Sequence, residues 1–375
     1  MILLPLLAVL AAPSPPLPPP PIVSVDGNFG TAVLSLRAGR ARCESGEEAL
    51  LLDEPPLPQI AAWGPAMPAP TPVVLKFRID AAGRPLSIVE EAVPDVRGPY
   101  YNRRETVAAF AASRFRPGRE RTGCTIAYEA RAERIEEVDP AILYRLVALQ
   151  PAPPFGVRRV IFERTQPAGS NCFSDTRLNV RLRAYPAFEE IEQRPGTLSH
   201  SFLAFDLDRD GRPINIRLLG SGGNAELDRQ SLDAVRRSRF SPIAKRGCTY
   251  SYWRRQTEPL QAPEPPQPDS YRADDSTCPK DGDPWAYMPP LNFPSEFERR
   301  AIEGWAVLKF DVAPWGGVGN VRVVAAEPAA PFGQQAMQIL GGARKPPSSR
   351  GYTGCVTRVV FRMGSSPHTN QISGP

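Results

Sequence analysis

A chain of 375 residues, 42% hydrophobic and 23% charged, has the composition of ordinary globular protein and room for two or three cores. Its net charge of +5 is the small remainder of 45 basic and 40 acidic residues intermixed along the whole length. That pattern argues against nucleic acid as a partner, because such binders gather their charge on one face or in a tail.

The chain begins with an apolar run, Met1 to Ala12, followed by the proline-rich stretch Pro13 to Pro21. The run is about half the roughly 20 apolar residues needed to span a bilayer, and Pro5 lies inside it. It reads as a signal peptide, although no Lys or Arg precedes it, and no stable membrane span is expected. Three segments then repeat one pattern. The first has an alternating strand (Val73, Leu75, Phe77, Ile79), a glycine turn from Asp80 to Gly83, and a second strand from Leu86 to Val93. A helix through Val107, Phe110 and Ala111 follows, ended by Arg114-Phe115-Arg116-Pro117 because proline cannot continue the hydrogen-bond ladder. Gly123-Cys124 then precedes a last strand, Thr125 to Arg131.

The second segment runs Leu203, Phe205, Leu207; the turn Asp208-Arg209-Asp210-Gly211; Ile214 to Leu219; a helix with Leu232 and Val235; Arg239-Phe240-Ser241-Pro242; and Gly247-Cys248 before Thr249 to Arg254. The third runs Ala306, Leu308, Phe310, Val312; a turn through Gly316-Gly317; Val318 to Ala325; a helix with Ala336, Ile339 and Leu340; Ala343-Arg344-Lys345-Pro346, which lacks the phenylalanine; and Gly354-Cys355 before Val356 to Met363. The fold class is therefore α+β: three tandem small strand-strand-helix-strand domains, each a three-stranded antiparallel sheet plus a helix, joined by proline-rich connectors. The expected boundaries are a signal peptide at 1–12, a proline-rich N-terminal segment at 13–42, repeats at 43–135, 172–257 and 278–364, a connector at 136–171, a proline-rich linker at 258–277 and a tail at 365–375.

The other cysteines, Cys43, Cys172 and Cys278, lie 30, 31 and 28 residues before Val73, Leu203 and Ala306. This nearly constant phase pairs Cys43 with Cys124, Cys172 with Cys248 and Cys278 with Cys355, and suits an oxidising compartment. Zinc is not expected, because no two cysteines fall within four residues of each other and the only histidines are His200 and His368. Both histidines are expected at solvent-exposed structural positions. No nucleophile elbow or phosphate loop is present, so neither catalytic residues nor a cofactor are expected. Gly220-Ser221-Gly222-Gly223-Asn224 reads as a strand-to-helix connector and Asp208 to Gly211 as a hairpin turn. Trp253, Trp285, Tyr287 and Trp305 could line a groove or pack inside; Trp305 is assigned to the core and Trp285 is left open.

The third segment, with Phe293-Pro294, Arg299 to Val312, Gly317 and Val321-Arg322-Val323-Val324, resembles the C-terminal domain of TonB energy transducers. The first segment shares the strand and Arg-Phe-x-Pro features, and the second adds Tyr185-Pro186. The resemblance implies a non-enzymatic protein facing the periplasm that binds a protein or peptide partner, such as a segment of an outer-membrane receptor. In that family an extended partner segment adds to the edge of the sheet. The candidate edge residues are Thr125, Ala127, Thr249, Ser251, Val356 and Arg358, on the last strands; the alternative is that the Cys43, Cys172 and Cys278 segments cap these edges. A second functional reading is a shortened energy transducer held in the inner membrane by an uncleaved N-terminus.

Overall fold

The computed structural model describes residues 32–52, 71–92, 103–149, 155–172, 179–254, 258–279, 284–364 and 372–373. The expected signal peptide, its proline run and His368 lie outside these residues. In the first repeat β1 (Ala32–Ala38), β2 (Ala41–Arg42) and β3 (Glu48–Ala49) precede β4 (Val73–Ile79), β5 (Pro85–Glu90), α1 (Arg103–Ala111) and β6 (Arg121–Arg134). Two helices follow, α2 (Pro140–Leu149) and α3 (Phe155–Thr165). The second repeat contains β7 (Val180–Leu182), β8 (Ser199–Leu207), β9 (Pro213–Ser221), α4 (Ala225–Arg237), β10 (Arg239–Phe240) and β11 (Lys245–Arg254). The third contains α5 (Ser295–Arg299), β12 (Gly304–Val312), β13 (Val318–Glu327), α6 (Ala330–Gly342) and β14 (Tyr352–Phe361), and β15 (Ile372–Ser373) lies in the tail.

Each repeat realises the strand-strand-helix-strand order with its first strand central and its last strand antiparallel beside it. The hairpin glycines Gly83, Gly211 and Gly316 all have positive φ, and each carbonyl accepts the N–H of Phe115, Phe240 or Lys345. A Cβ at any of the three would meet the carbonyl oxygen of that same residue at 1.9 to 2.4 Å, so the close approach of turn and post-helix segment requires glycine. This contact also corrects the third closing motif: Lys345, one residue later than expected, occupies the place of Phe115 and Phe240. The guanidinium of the preceding arginine bonds the adjacent carbonyl identically in Arg114, Arg239 and Arg344. The ring missing from the third core comes from Trp285, whose centroid lies 5.6 Å from Phe310, as Phe115 lies 5.6 Å from Phe77 and Phe240 lies 5.4 Å from Phe205. Trp285 is thus a packing residue, with the Lys345 ammonium 4.3 Å from its ring centroid.

All three expected disulfides, Cys43–Cys124, Cys172–Cys248 and Cys278–Cys355, are formed. They tie an upstream segment to each last strand, and a short stretch after the first cysteine pairs with the post-helix motif: Leu51 with Phe115, β7 with β10, Tyr287 with Arg344.

The repeats are less separate than the tandem reading expects. The first and third share one continuous hydrophobic core that runs from Phe77, Phe110 and Phe115 to Phe297, Phe332 and Phe361. Ser87 and Arg78 bond the Glu327 carboxylate across this junction, and Ile88 N–H donates to the Pro328 carbonyl at 2.9 Å. Beside it Glu105 of α1 accepts from Arg300 Nη2 at 2.6 Å and Nε at 2.9 Å and from Arg299 Nη2 at 2.8 Å, while Arg300 Nη1 donates to the Gly196 carbonyl of the second repeat. Glu105 and Arg300 are each 1% exposed. Gly196, at φ +80, fits there because a Cβ would come within 2.6 Å of Ala112.

The second repeat keeps its own core of Leu203, Phe205, Leu207, Ala234, Val235 and Tyr252 beneath α4. Helix α4 is started by Asn224, whose side chain accepts from Leu227 N–H, with Glu226 and Asp228 in its first turn and Arg236 and Arg237 in its last. The opposite face of this sheet is covered by α2, with Tyr144 stacked on Phe202 at 4.7 Å. Strand β8 is therefore buried on both faces, and His200 is 3% exposed, contrary to its expected exposed position.

The segments between the repeats are also packed. Residues 32–42, expected outside the first repeat, complete its sheet through β1 and β2. The 136–171 stretch holds α2 and α3, with Leu143, Leu146 and Ile161 in a core shared with Val33. The proline-rich 258–277 linker lines the third repeat: Trp305, in the core as expected, donates its indole N–H to the Pro263 carbonyl, and Leu260 bridges to Ile302.

Candidate functional site

The six edge residues expected from the sequence lie on the outer edges of β6, β11 and β14, and these edges differ. Along β6, Thr125 pairs with Arg42, Ala127 accepts from Gly39 N–H at 2.8 Å, and Tyr128 to Arg134 are paired with β1. The edge at Thr125 and Ala127 is thus filled by the chain's own upstream strands. Along β14, Ser276 and Thr277 bond Thr353 and Gly354, the Arg358 guanidinium reaches the carbonyls of Pro265 and Pro266, and β15 pairs with Arg358 and Val359. Arg358 is thus not on a free edge either, and Val356 lies between these two covers.

β11 is different. It is the outer strand of a three-stranded sheet ordered β11-β8-β9, and among the described residues no strand pairs with its outer edge. Its start is pinned: Asn171 exchanges bonds with Arg246, Ser170 Oγ donates to the Gly247 carbonyl, and the disulfide holds Cys248 to Cys172. Asp206 accepts from Gly247 N–H at 2.8 Å and from Asn215 at 2.9 Å. Burial pushes the Asp206 carboxyl up, but these two bonds outweigh it and hold the group below its ordinary value.

Beyond the bulge at Gly247, Thr249 and Ser251 occupy the register positions of Thr125 and Ala127. Backbone N–H and C=O of one strand residue point to the same side, so the outward direction seen at Ala127 holds for Ser251. Beside this edge the face toward α4 carries an aromatic group: Tyr250 and Tyr252 with centroids 4.9 Å apart, Tyr185 at 6.3 Å from Tyr252, and the Arg183 guanidinium 4.9 Å from the Tyr250 ring centre. Tyr252 donates to the Ala184 carbonyl at 2.8 Å, and burial followed by the neighbouring Tyr250 pushes its phenol up to about 12. Tyr185 is 54% exposed and Trp253, on the other face, 44%. The site thus offers outward main-chain groups flanked by aromatic surface.

The sequence placed Thr249 and Ser251 but missed Tyr185, Tyr250 and Arg183, whose only sequence signal is the tyrosine spacing on β11 and beside Pro186. Among the described residues no group of three or more His, Cys, Asp or Glu could hold a metal, and no helix is long and apolar enough to cross a membrane.

Residues 184–257, which contain β8, β9, α4 and β11, match the family model described as Gram-negative bacterial TonB protein C-terminal. Protein TonB of Escherichia coli (strain K12) is 31% identical to this chain over 74 residues, which cover 20% of this chain and 30% of that protein. The likeness is therefore to one domain, and the chain spans less than a third of the length of that relative.

Proposed function

We propose that the chain is a non-enzymatic periplasmic protein built on three TonB-like repeats, and that it binds an extended segment of a protein partner by strand addition at β11. The observation that carries this reading is the coincidence of two properties in one repeat. The repeat matching the TonB C-terminal family is also the one whose last strand has no strand on its outer edge among the described residues. Main-chain pairing supplies the affinity in this mode, and the flanking side chains supply selectivity. A segment from the plug of an outer-membrane receptor is the partner class that the family likeness supports. The first and third repeats, with their edges occupied, serve as the frame that holds β11 in place.

The test is binding of fluorescein-labelled plug-segment peptides to the full chain, followed by anisotropy, for the wild type and for Ser251→Pro. Proline at position 251 removes an outward N–H that the sheet does not use, so the fold is retained while the edge is blocked. Binding to the wild type and its loss in Ser251→Pro are expected. Background-level binding to the wild type, or equal binding to both, would overturn the assignment.

A further inference from the structure

The third repeat contains a cavity of about 700 Å³ between its hairpin turn, the end of α6 and the start of β14. That volume is in the range of small-ligand sites. In the first repeat the equivalent turn is closed by an acid and an arginine, Asp80 accepting from Arg84 N–H and Nε, and in the second Asp208 accepts from the main-chain N–H of Arg212. In the third repeat these two positions are Ala313 and Gly317, and Trp315 stands between them. Neither position carries a long side chain here, and the indole nitrogen of Trp315 lies over Gly317, 2.7 Å from where a Cβ would sit. Trp315 is 75% exposed, yet its turn is clamped, since Lys345 N–H donates to the Gly316 carbonyl and Ser348 N–H to the Pro314 carbonyl. The backbone that carries the indole is therefore held in place before any ligand arrives.

The charge at the cavity is equally directed. Arg344 and Arg350 both line it, and among the described residues neither is in an ion pair. The acid in the lining, Asp311, is engaged: its oxygens accept from Asn320 at 2.7 Å and from Gly354 N–H at 2.9 Å, and these bonds hold it below its ordinary value, as an anion committed to the hairpin. Two arginines and an exposed indole thus line one hollow, with Arg344 giving Nη1 to the Ala343 carbonyl at 2.8 Å. We infer that this cavity binds a small anion carrying a flat ring, an aromatic carboxylate or phosphate, with the ring on Trp315 and the anion between Arg344 and Arg350. The assignment is independent of any binding at β11.

Calorimetry of the full chain with phenyl phosphate tests it, with benzoate as the carboxylate form, phenol as the ring without the anion and inorganic phosphate as the anion without the ring. Phenyl phosphate or benzoate is expected to bind, with Kd raised about tenfold or more in Arg344→Gln and Arg350→Gln, and about three- to tenfold in Trp315→Ala. All three side chains are at the surface, and unchanged thermal unfolding of the variants shows that the fold is kept. Absence of binding at millimolar concentrations, equal binding of phenol or of inorganic phosphate, or equal affinity in the variants would each overturn the inference.

Discussion

Replacing Glu105 by alanine tests whether the first and third repeats are one folding unit. The carboxylate accepts two bonds from Arg300 and one from Arg299, and both Glu105 and Arg300 are 1% exposed. Its removal leaves a guanidinium buried without its anion, a change that typically costs about 3–5 kcal/mol. Against a total stability on the order of 5–15 kcal/mol, that loss moves the urea midpoint well outside experimental error. The variant is best followed by far-UV circular dichroism in urea with the disulfides intact, together with amide hydrogen exchange on β4 and β12. The continuous core predicts that amides of both strands lose protection together, although Glu105 belongs to the first repeat alone. The double variant Glu105→Leu/Arg300→Met, which removes both charges, is expected to lose less than the single one. A loss below about 1 kcal/mol, or a change confined to β4 while β12 keeps its protection, would refute both the buried pair and the shared core.

Two further predictions concern residues whose roles the structure defines. Trp285→Ala empties the place that phenylalanine fills in the other repeats and is expected to cost about 2–4 kcal/mol, with Trp285→Phe restoring most of it; equal unfolding midpoints for wild type and Trp285→Ala would contradict the substitution of ring for ring. His200 is pushed down to about 4 from an ordinary value of 6.5, by burial first and then by Arg145. The folded chain therefore holds it neutral where the unfolded chain protonates it, so stability is lost as pH falls from about 6.5 towards 4, by up to about 3 kcal/mol. A His200→Phe variant is expected to lose this dependence in thermal melts across that window, and identical pH profiles would show that His200 does not contribute. Asp206 and Asp311, both held below their ordinary value of 3.8, contribute stability that disappears only at still lower pH, which separates their effect from that of the histidine.

The elements of each repeat were legible because their signals are local. Alternation marked Val73 to Ile79, the Asp-x-x-Gly turns of the first two repeats and Gly316-Gly317 of the third marked the hairpins, and the phase of the cysteines marked the three bridges. What the sequence hid was non-local. Nothing near Glu105 indicates that its partner is 195 residues away, and a lone buried arginine is indistinguishable from a surface one in a chain rich in both charges. The third closing motif lacks the phenylalanine, and its ring arrives instead from Trp285, before the hairpin rather than after the helix. Helix α2 could have been found, since Leu143 and Leu146 have the spacing of one buried face, and with it the second cover that buries His200.

The edges show most clearly why a repeated sequence does not give a repeated surface. Each disulfide carries an upstream segment to the start of a last strand, so each edge has a potential cover tethered beside it. Whether the cover pairs depends on backbone conformation in that segment. Ala32 to Ala38, with Leu34 and Leu36 buried on one face and Val33 on the other, is extended and zips along β6. Ser276 and Thr277 bond the beginning of β14, and the proline-rich stretch before them offers carbonyls but few N–H donors, so Arg358 meets them through its side chain. Before Cys172 the chain is instead the helix α3, whose backbone groups are satisfied internally and cannot extend a sheet. The second repeat is consequently the one in which main-chain pairing by the tethered segment stops at Asn171: Gln166 reaches Thr249 only through its side-chain amide, 2.9 Å from Oγ1, and among the described residues no strand pairs with Ser251 on its outer side. An engineered extended segment in place of α3 would, on this reasoning, close β11 as β1 closes β6 and abolish peptide binding there. Binding that survives such a replacement would place the functional edge elsewhere.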